Sequence, residues 1–380
     1  MQHTNVTNTH VANSGEKRLL ALQALRAIAA TMIVVLHAEE LVAIHAAANQ
    51  GSFSHLRAFP LGVGVDLFFV ISGFVVAYAS KSLFGAPGGR GEFMRRRLIR
   101  IVPLYWTALT LRLLALAVGF KFGVKLFPDT TAILTSYLFI PYDSLGYGPN
   151  YPFPILDLGW TLNYEMFFYF LFACFIGLRR DVAVFAVVAC LSTGIVLATP
   201  FPPANPALRF WLHPIALEFA CGTLIALSFL RGLLLPRPLR VALIVAALCI
   251  WLVPVSWFVH DYGPGFYSWP RVMIWGVGAV MIVAAAALGP TSFKSVWSRT
   301  IADLGDSSYA LYLMHPFVFL VVKEILNKVV VPEILYWPLV IAISGLAIVL
   351  AALFHKLAEV PVVTFLRNAT ASRVVSRANR

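Results

Sequence analysis

An arginine and a histidine stand eleven residues apart in one apolar run, LLALQALRAIAATMIVVLHA, at Arg26 and His37. At 3.6 residues per turn that spacing is three turns, so both side chains share a helix face about 16 Å apart. An arginine deep in a membrane helix costs roughly 2.5–3.5 kcal/mol on insertion scales, and an intramembrane ionisable group is a functional hypothesis by default. The plain alternative is that Arg26 snorkels to an interface and His37 is a satisfied packing residue. Two aligned groups on one face weigh against it.

Other polar groups gather at the predicted outer ends of apolar runs. Asp66 stands in GVGVDLFFVISGF, Glu165 in GWTLNYEMFFY, and Glu218 follows His213 in a third run. Together they would line a polar stratum; singly, each would do no more than cap or anchor a helix end. On the inner side, FMRRRLIRIVPLYW brings Arg95, Arg96, Arg97 and Arg100 just ahead of Tyr105 and Trp106. Arg96 and Arg100 are four apart and Arg97 and Arg100 three apart, which makes one basic helix face. Guanidinium groups hold phosphates bidentately. The same cluster read without a ligand is an orientation signal or a patch for anionic lipid.

These groups fit one reaction. A donor with a polyphosphate head would rest on the inner arginines and extend its arm past Arg26 towards His37. A hydroxyl acceptor would reach His37 from outside. Histidine titrates near neutrality and serves as a general base for a hydroxyl attacking a thioester, an effect typically worth about 10²–10⁴-fold. Asp66 or Glu165 would orient the imidazole, as a carboxylate does in hydrolytic triads. The chain holds no serine elbow and no H-E-x-x-H metal motif, so direct transfer is simpler than a covalent acyl-enzyme.

The elements that must position these groups are membrane helices. The 380 residues are 60% hydrophobic and only 12% charged. Mean hydropathy is +0.82. Soluble domains carry roughly 25% charged residues, so an ordinary water-facing domain is excluded. Ten stretches approach the ~20 apolar residues that a span needs. They lie at about 19–46, 61–80, 101–120, 159–178, 182–199, 212–230, 239–258, 270–289, 307–326 and 337–356. A short apolar segment at 131–140 reads as interfacial or re-entrant. The first apolar run is too long for a signal-peptide core and reads as a retained helix.

With the N-terminus inside, 20 lysines and arginines fall on the inner side and 7 outside, of 29 in all. The positive-inside rule then puts both termini in the cytoplasm. The expected fold is all-α and polytopic: a cytoplasmic tail at 1–18, a transmembrane domain at 19–358 and a basic tail at 359–380. The formal charge of +12 is thus an orientation record, and nucleic acid is not an expected partner. Cys174, Cys190, Cys221 and Cys249 lie far apart inside apolar runs, with neither zinc-ligand spacing nor a disulfide framework. No metal is expected.

The ordered motifs resemble the acyltransferase 3 family, bacterial membrane enzymes that O-acylate exopolysaccharides, O-antigens and related glycans. LQALRAIAATMIVVLH is similar to the family's first-helix arginine-to-histidine motif, and GVDLFFVISGF to its second-helix signature through Gly64, Asp66, Phe68, Ser72, Gly73 and Phe74. FMRRRLIRIVPLYW matches through Arg97, Arg100, Pro103, Tyr105 and Trp106. LGDSSYALYLMHPFVF resembles a late helix through Ser308, Tyr309, Tyr312 and His315, and HKLAEVP the closing Glu359 and Pro361.

The resemblance implies ten core helices in the bacterial inner membrane, an acyl-CoA donor such as acetyl-CoA from the cytoplasm, and a glycan or lipid-linked oligosaccharide acceptor. It implies essential roles for His37 and Arg26 and a donor role for the arginine pair. Two departures stand out. Gln23-Ala24 replaces the usual Asp-Gly, and Met166 replaces the second glutamate beside Glu165. The hydrolase-like domain fused to some members is not part of this sequence, so the chain is expected to complete its transfer alone. The competing class is a transporter or glycan translocase. Chemistry that differs between the two sides disfavours it, because transporters more often pair charges near the midplane. His315 is the rival base, placed nearer the donor side.

Overall fold

The computed structural model describes residues 3–56, 59–121, 127–144, 146, 152–253, 268–289 and 296–378. Among them every regular element is helical. In chain order these are α1 (His3–Ala48), α2 (Val63–Ala79), α3 (Gly89–Lys121), α4 (Thr130–Tyr137), α5 (Trp160–Phe175), α6 (Arg180–Ala198), α7 (Pro206–Trp211), α8 (Leu217–Leu230) and α9 (Arg237–Trp251). Then α10 (Trp269–Arg271) passes through a π-helical turn, Val272–Gly276, into α11 (Val277–Ala287). After α12 (Val296–Asp306) and α13 (Ser308–Leu326), α14 (Tyr336–Phe354) passes through a second π turn, His355–Glu359, into α15 (Val360–Ala378).

Among the described residues six stretches are long and apolar enough to cross a membrane: Leu20–Ala48, Gly89–Gly119, Arg180–Ala198, Trp269–Ala287, Ser308–Leu326 and Glu333–Thr370. Val63–Ala79 and Pro214–Leu230 are apolar but shorter. Helices stand at all ten expected positions, but four are shorter than a full span. The reason is visible at their ends. The Val63 N–H bonds the Pro60 carbonyl in a turn that starts α2 late, and Pro214 opens a 3₁₀ turn ahead of α8. Proline suits such a first-turn position because it lacks the N–H that a helix interior requires. α5 has sixteen residues and α9 fifteen. The expected segment 239–258 extends past Val253, outside the described residues. The segment at 131–140 is the eight-residue α4. Both expected tails are largely helical, because α1 begins at His3 and α15 continues from α14.

The chain divides into two compact units, Met1–Tyr78 with Glu218–Ala352, and Ala79–Leu217 with Leu353–Arg380. In the first, Ala30, Val34 and Ala38 recur every fourth residue of α1, which stacks them on one face. They pack with Leu311 and Phe319 of α13 and Tyr336, Val340, Ile343 and Ala347 of α14. His37, seven residues after Ala30, flanks that face. Glycine lets α2 and α8 meet backbone to backbone, because a Cβ on Gly73 would lie 2.0 Å from the Phe219 carbonyl oxygen. Small residues allow such approach where lipid offers no hydrophobic drive between helices.

In the second unit α3 packs against α4, α5 and α15. Tyr105 donates its hydroxyl to the Ser136 carbonyl at 3.0 Å, and Trp106 its indole N–H to the Tyr137 carbonyl at 3.0 Å. Both carbonyls lie in the last turn of α4, where regular intrahelical donors run out; the aromatic groups add donors there, and the Ser136 carbonyl also accepts from the Phe139 N–H at 3.4 Å.

Candidate active site

His37 on α1 and His315 on α13 meet with 2.9 Å between His37 Nδ1 and His315 Nε2. The ring planes differ by 11° and the centroids are 5.2 Å apart. That separation is the nitrogen–nitrogen distance plus one ring radius at each end, so the rings meet edge to edge and nearly in one plane. His315 is buried, and its Nδ1 lies 2.9 Å from the Leu311 carbonyl one turn back. The sequence favours this local arrangement. Pro316 follows His315 inside α13 and has no N–H to continue the helical ladder there. The side chain of Phe319 closes against the imidazole edge-on at 5.3 Å.

Near the start of the apolar part of α1, Arg26 donates to Gln23 Oε1 at 2.9 Å, and the Gln23 amide in turn bonds the Asp306 carboxylate of α12. The glutamine that departs from the family pattern thus links the Arg26 guanidinium to an acid from the segment preceding α13.

Asp66 is engaged elsewhere. Its carboxylate accepts from Arg271 Nη2 at 2.8 Å and from Nε at 3.3 Å, with Asp66 fully buried and Arg271 2% exposed. The Arg271 guanidinium also lies 4.8 Å from the centre of the Trp275 ring. Glu218 is buried within electrostatic reach of both charges. Gly276 makes room for it, since a Cβ there would stand 2.6 Å from Glu218 Oε1. The π turn holding Trp275 and Gly276 therefore wraps this group, and π turns frequently mark functional sites.

The basic segment in the second unit splits by direction. Arg95 and Arg96 both bond Glu92, Arg95 at 2.7 Å and Arg96 at 2.5 Å. Arg96 is exposed, Arg100 half-buried and Arg97 buried. The Arg97 guanidinium lies against two rings that themselves meet edge to face, 5.5 Å from the centre of Phe93 and 5.6 Å from that of Tyr169. The Tyr169 hydroxyl donates to Glu165 on the same helix. The expected single basic face is thus two surfaces, one turned inward to aromatics and a carboxylate. Tyr309 is half-buried on α13. His213 caps a 3₁₀ turn and lies 3.4 Å from the Tyr164 hydroxyl. Among the described residues no group of three or more His, Cys, Asp or Glu is placed to hold a metal.

The structure brings His37 together with His315, Asp66 with Glu218, and Arg97 with Tyr169, which in turn bonds Glu165. The carboxylates expected to orient His37 hold other partners: Asp66 has Arg271, and Glu165 has Tyr169. Sequence reasoning did not single out Arg271, which stands at the start of the apolar run expected at 270–289. The Trp-Pro pair just before it is a helix-opening signal that puts the arginine in the first turn of an apolar helix, where a buried charge needs a partner. Tyr169 was also missed, although it stands four residues after Glu165, the spacing of neighbours on a helix face.

Comparison with known proteins agrees with this arrangement of motifs. The family described as an acyltransferase domain, acyltransferase 3, matches residues 19–356. The exopolysaccharide production protein ExoZ of Rhizobium meliloti (strain 1021) is 30% identical over 286 residues, 74% of this chain and 82% of that one. The acyltransferase MdmB of Streptomyces mycarofaciens is 25% identical over 382 residues, 90% of this chain and 91% of that one. YrhL of Bacillus subtilis (strain 168), provisionally named a peptidoglycan O-acetyltransferase, is 26% identical over 337 residues, 80% of this chain but 50% of that one. No solved structure gives a significant match.

Proposed function

Because the chain belongs to the acyltransferase 3 family, we propose that it transfers an acyl group, acetyl in the simplest case, from cytoplasmic acyl-CoA to a glycan hydroxyl. His37 is the general base in this reading. The acceptor is an extracytoplasmic or lipid-linked sugar, a reading supported by the exopolysaccharide role in the name of ExoZ. The observation that carries it is the His37–His315 pair: a half-buried imidazole held in plane by a second, buried one within an apolar helical protein.

The acceptor oxygen attacks the thioester carbonyl while its proton passes to His37. The tetrahedral intermediate collapses, the C–S bond breaks, and the imidazolium returns the proton to the leaving thiolate. The products are an O-acyl sugar and CoA thiol. Arg26 positions the donor arm, and the diphosphate of CoA is assigned to the basic segment. There Arg96 and Arg100 are the more accessible guanidiniums, and Arg97 is the buried member, lying against the Phe93 and Tyr169 rings.

In the same reading the chain crosses the bacterial inner membrane ten times, with both termini in the cytoplasm. The distribution of 20 inner against 7 outer basic residues supports that orientation. The shorter helices α2, α5, α8 and α9 cross with local thinning of the bilayer and snorkelling of their flanking residues, the ways a short apolar stretch meets a thicker core.

The test is acylated-glycan yield in membranes matched for protein level. His37→Ala should abolish transfer while acyl-CoA binding persists. His37→Asn should fail as well, because an amide cannot take the proton. Substantial yield from His37→Ala would remove His37 as the base, and loss only in His315→Ala would move the base to α13.

A further inference from the structure

The hydrogen bonds around the two imidazoles have only one consistent direction when both rings are neutral. A carbonyl oxygen only accepts, so His315 Nδ1, 2.9 Å from the Leu311 carbonyl, carries a hydrogen. A neutral imidazole has one N–H, so His315 Nε2 is then an acceptor. His37 Nδ1, 2.9 Å from that atom, must therefore be the donor and carry its own hydrogen. The one remaining ring nitrogen of the pair, His37 Nε2, holds the basic lone pair. The near coplanarity of 11° puts the donor N–H and the accepting lone pair along one line in the plane of both rings.

We infer that His315 is a positioning residue that fixes His37 in its Nδ1–H tautomer and so selects His37 Nε2 as the atom that takes the acceptor's proton. This rests on the reading of His37 as general base, and it gives a neutral imidazole the place that a carboxylate fills in hydrolytic triads. The chain Leu311 carbonyl, His315, His37 is anchored at its far end by main chain, so the selection does not depend on a movable side chain. When His37 Nε2 gains the hydroxyl proton, the positive charge on His37 strengthens the bond from its Nδ1–H to His315 Nε2. That supports the imidazolium until the proton leaves with the CoA thiol. The carboxylates Asp66 and Glu165 are committed to Arg271 and Tyr169, and the tautomer is set without either of them.

The experiment combines kinetics with a spectroscopic reading of the tautomer. In reconstituted full-length protein, His315→Ala should lower kcat by about 10- to 10⁴-fold, the range spanned by loss of an orienting partner, with KM for acyl-CoA unchanged. His315→Gln should recover much of that loss, because its amide oxygen can accept from His37 Nδ1–H. His315→Lys should not, because an ammonium group only donates. Solid-state ¹⁵N spectra of histidine-labelled protein, with His37 assigned by its loss in His37→Asn, should show a protonated Nδ1 and an unprotonated Nε2. In His315→Ala that pattern should give way to a mixture of tautomers. Wild-type-like kcat in His315→Ala, or equal kcat in the Gln and Lys variants, would overturn the inference while leaving His37 as base. A protonated Nε2 in the wild type would overturn it independently of activity. Should His315→Ala fail to accumulate, the Gln–Lys comparison and the wild-type spectrum still decide. Full activity of His37→Ala is the separate result that removes the base itself.

Discussion

Asp66 and Arg271, 205 positions apart in the chain, form an ion pair of 2.8 Å with neither residue more than 2% exposed. An ion pair so placed has replaced both hydration shells, so each charge depends on the other. Breaking a buried pair by removing one partner typically costs about 3–5 kcal/mol. Asp66→Ala and Arg271→Ala should each lower the thermal midpoint of detergent-solubilised protein strongly. The double variant should fall well short of the summed losses, because no unpaired partner of this pair is left behind. Additive losses, measured by size-exclusion of heated samples, would show that the two side chains are not coupled.

The crossing of α2 and α8 should be equally sensitive at Gly73. A methyl group there would stand 2.0 Å from the Phe219 carbonyl oxygen, and backbone cannot rotate away as a side chain can. Overpacking of this kind costs about 1–3 kcal/mol or more, so Gly73→Ala should reduce folded yield. Gly91→Ala is the matched control on α3, because a Cβ there meets nothing within 4 Å. It should be neutral or gain about 0.5–1 kcal/mol from helix propensity.

Arg97 and Arg100 make the donor assignment testable. Charged hydrogen bonds contribute roughly 1.5–3 kcal/mol each, so losing both should weaken acyl-CoA binding by about 10²-fold or more. Lysine at both positions should rescue only partly, since an ammonium reproduces neither the bidentate fork nor the contact of a planar guanidinium with the Phe93 and Tyr169 rings. Isothermal titration with acetyl-CoA on the purified variants measures this directly. Unchanged affinity in the alanine pair would reduce the segment to an orientation signal.

Topology has its own test. The native cysteines are unpaired, and Cys174, Cys190 and Cys249 are exposed on the protein surface, so a cysteine-free background is needed first. A single cysteine near Arg237 should then be shielded from an impermeant reagent in intact spheroplasts. One near Pro264, outside the described residues, should react. Labelling near Arg237 would reverse the orientation.

Much of the protein was legible in the sequence because the informative signals are local. Long apolar runs specify helices with little help from elsewhere, and an arginine or histidine inside such a run is conspicuous wherever the helix later packs. The three-turn spacing of Arg26 and His37 and the order of the family motifs needed no coordinates. Helix ends were less legible, because a proline turn at residue 60 or 214 trims a span that composition alone extends.

Pairing was decided by tertiary structure alone. His37 meets His315 across 278 positions, and Arg271 reaches Asp66 across 205. Arg97 turns inward to Phe93 and Tyr169 while its neighbour Arg96 stays exposed. Helical periodicity says which residues share a face, but not which faces abut. That depends on where small residues such as Ala30, Ala38 and Gly73 let two helices approach, and on which buried charge is near enough to offset the desolvation of another. The amino-acid order therefore determined which reactive groups enter the membrane helices. The packing of those helices determined which nitrogen of His37 bears the proton and which carboxylate is left to Arg271.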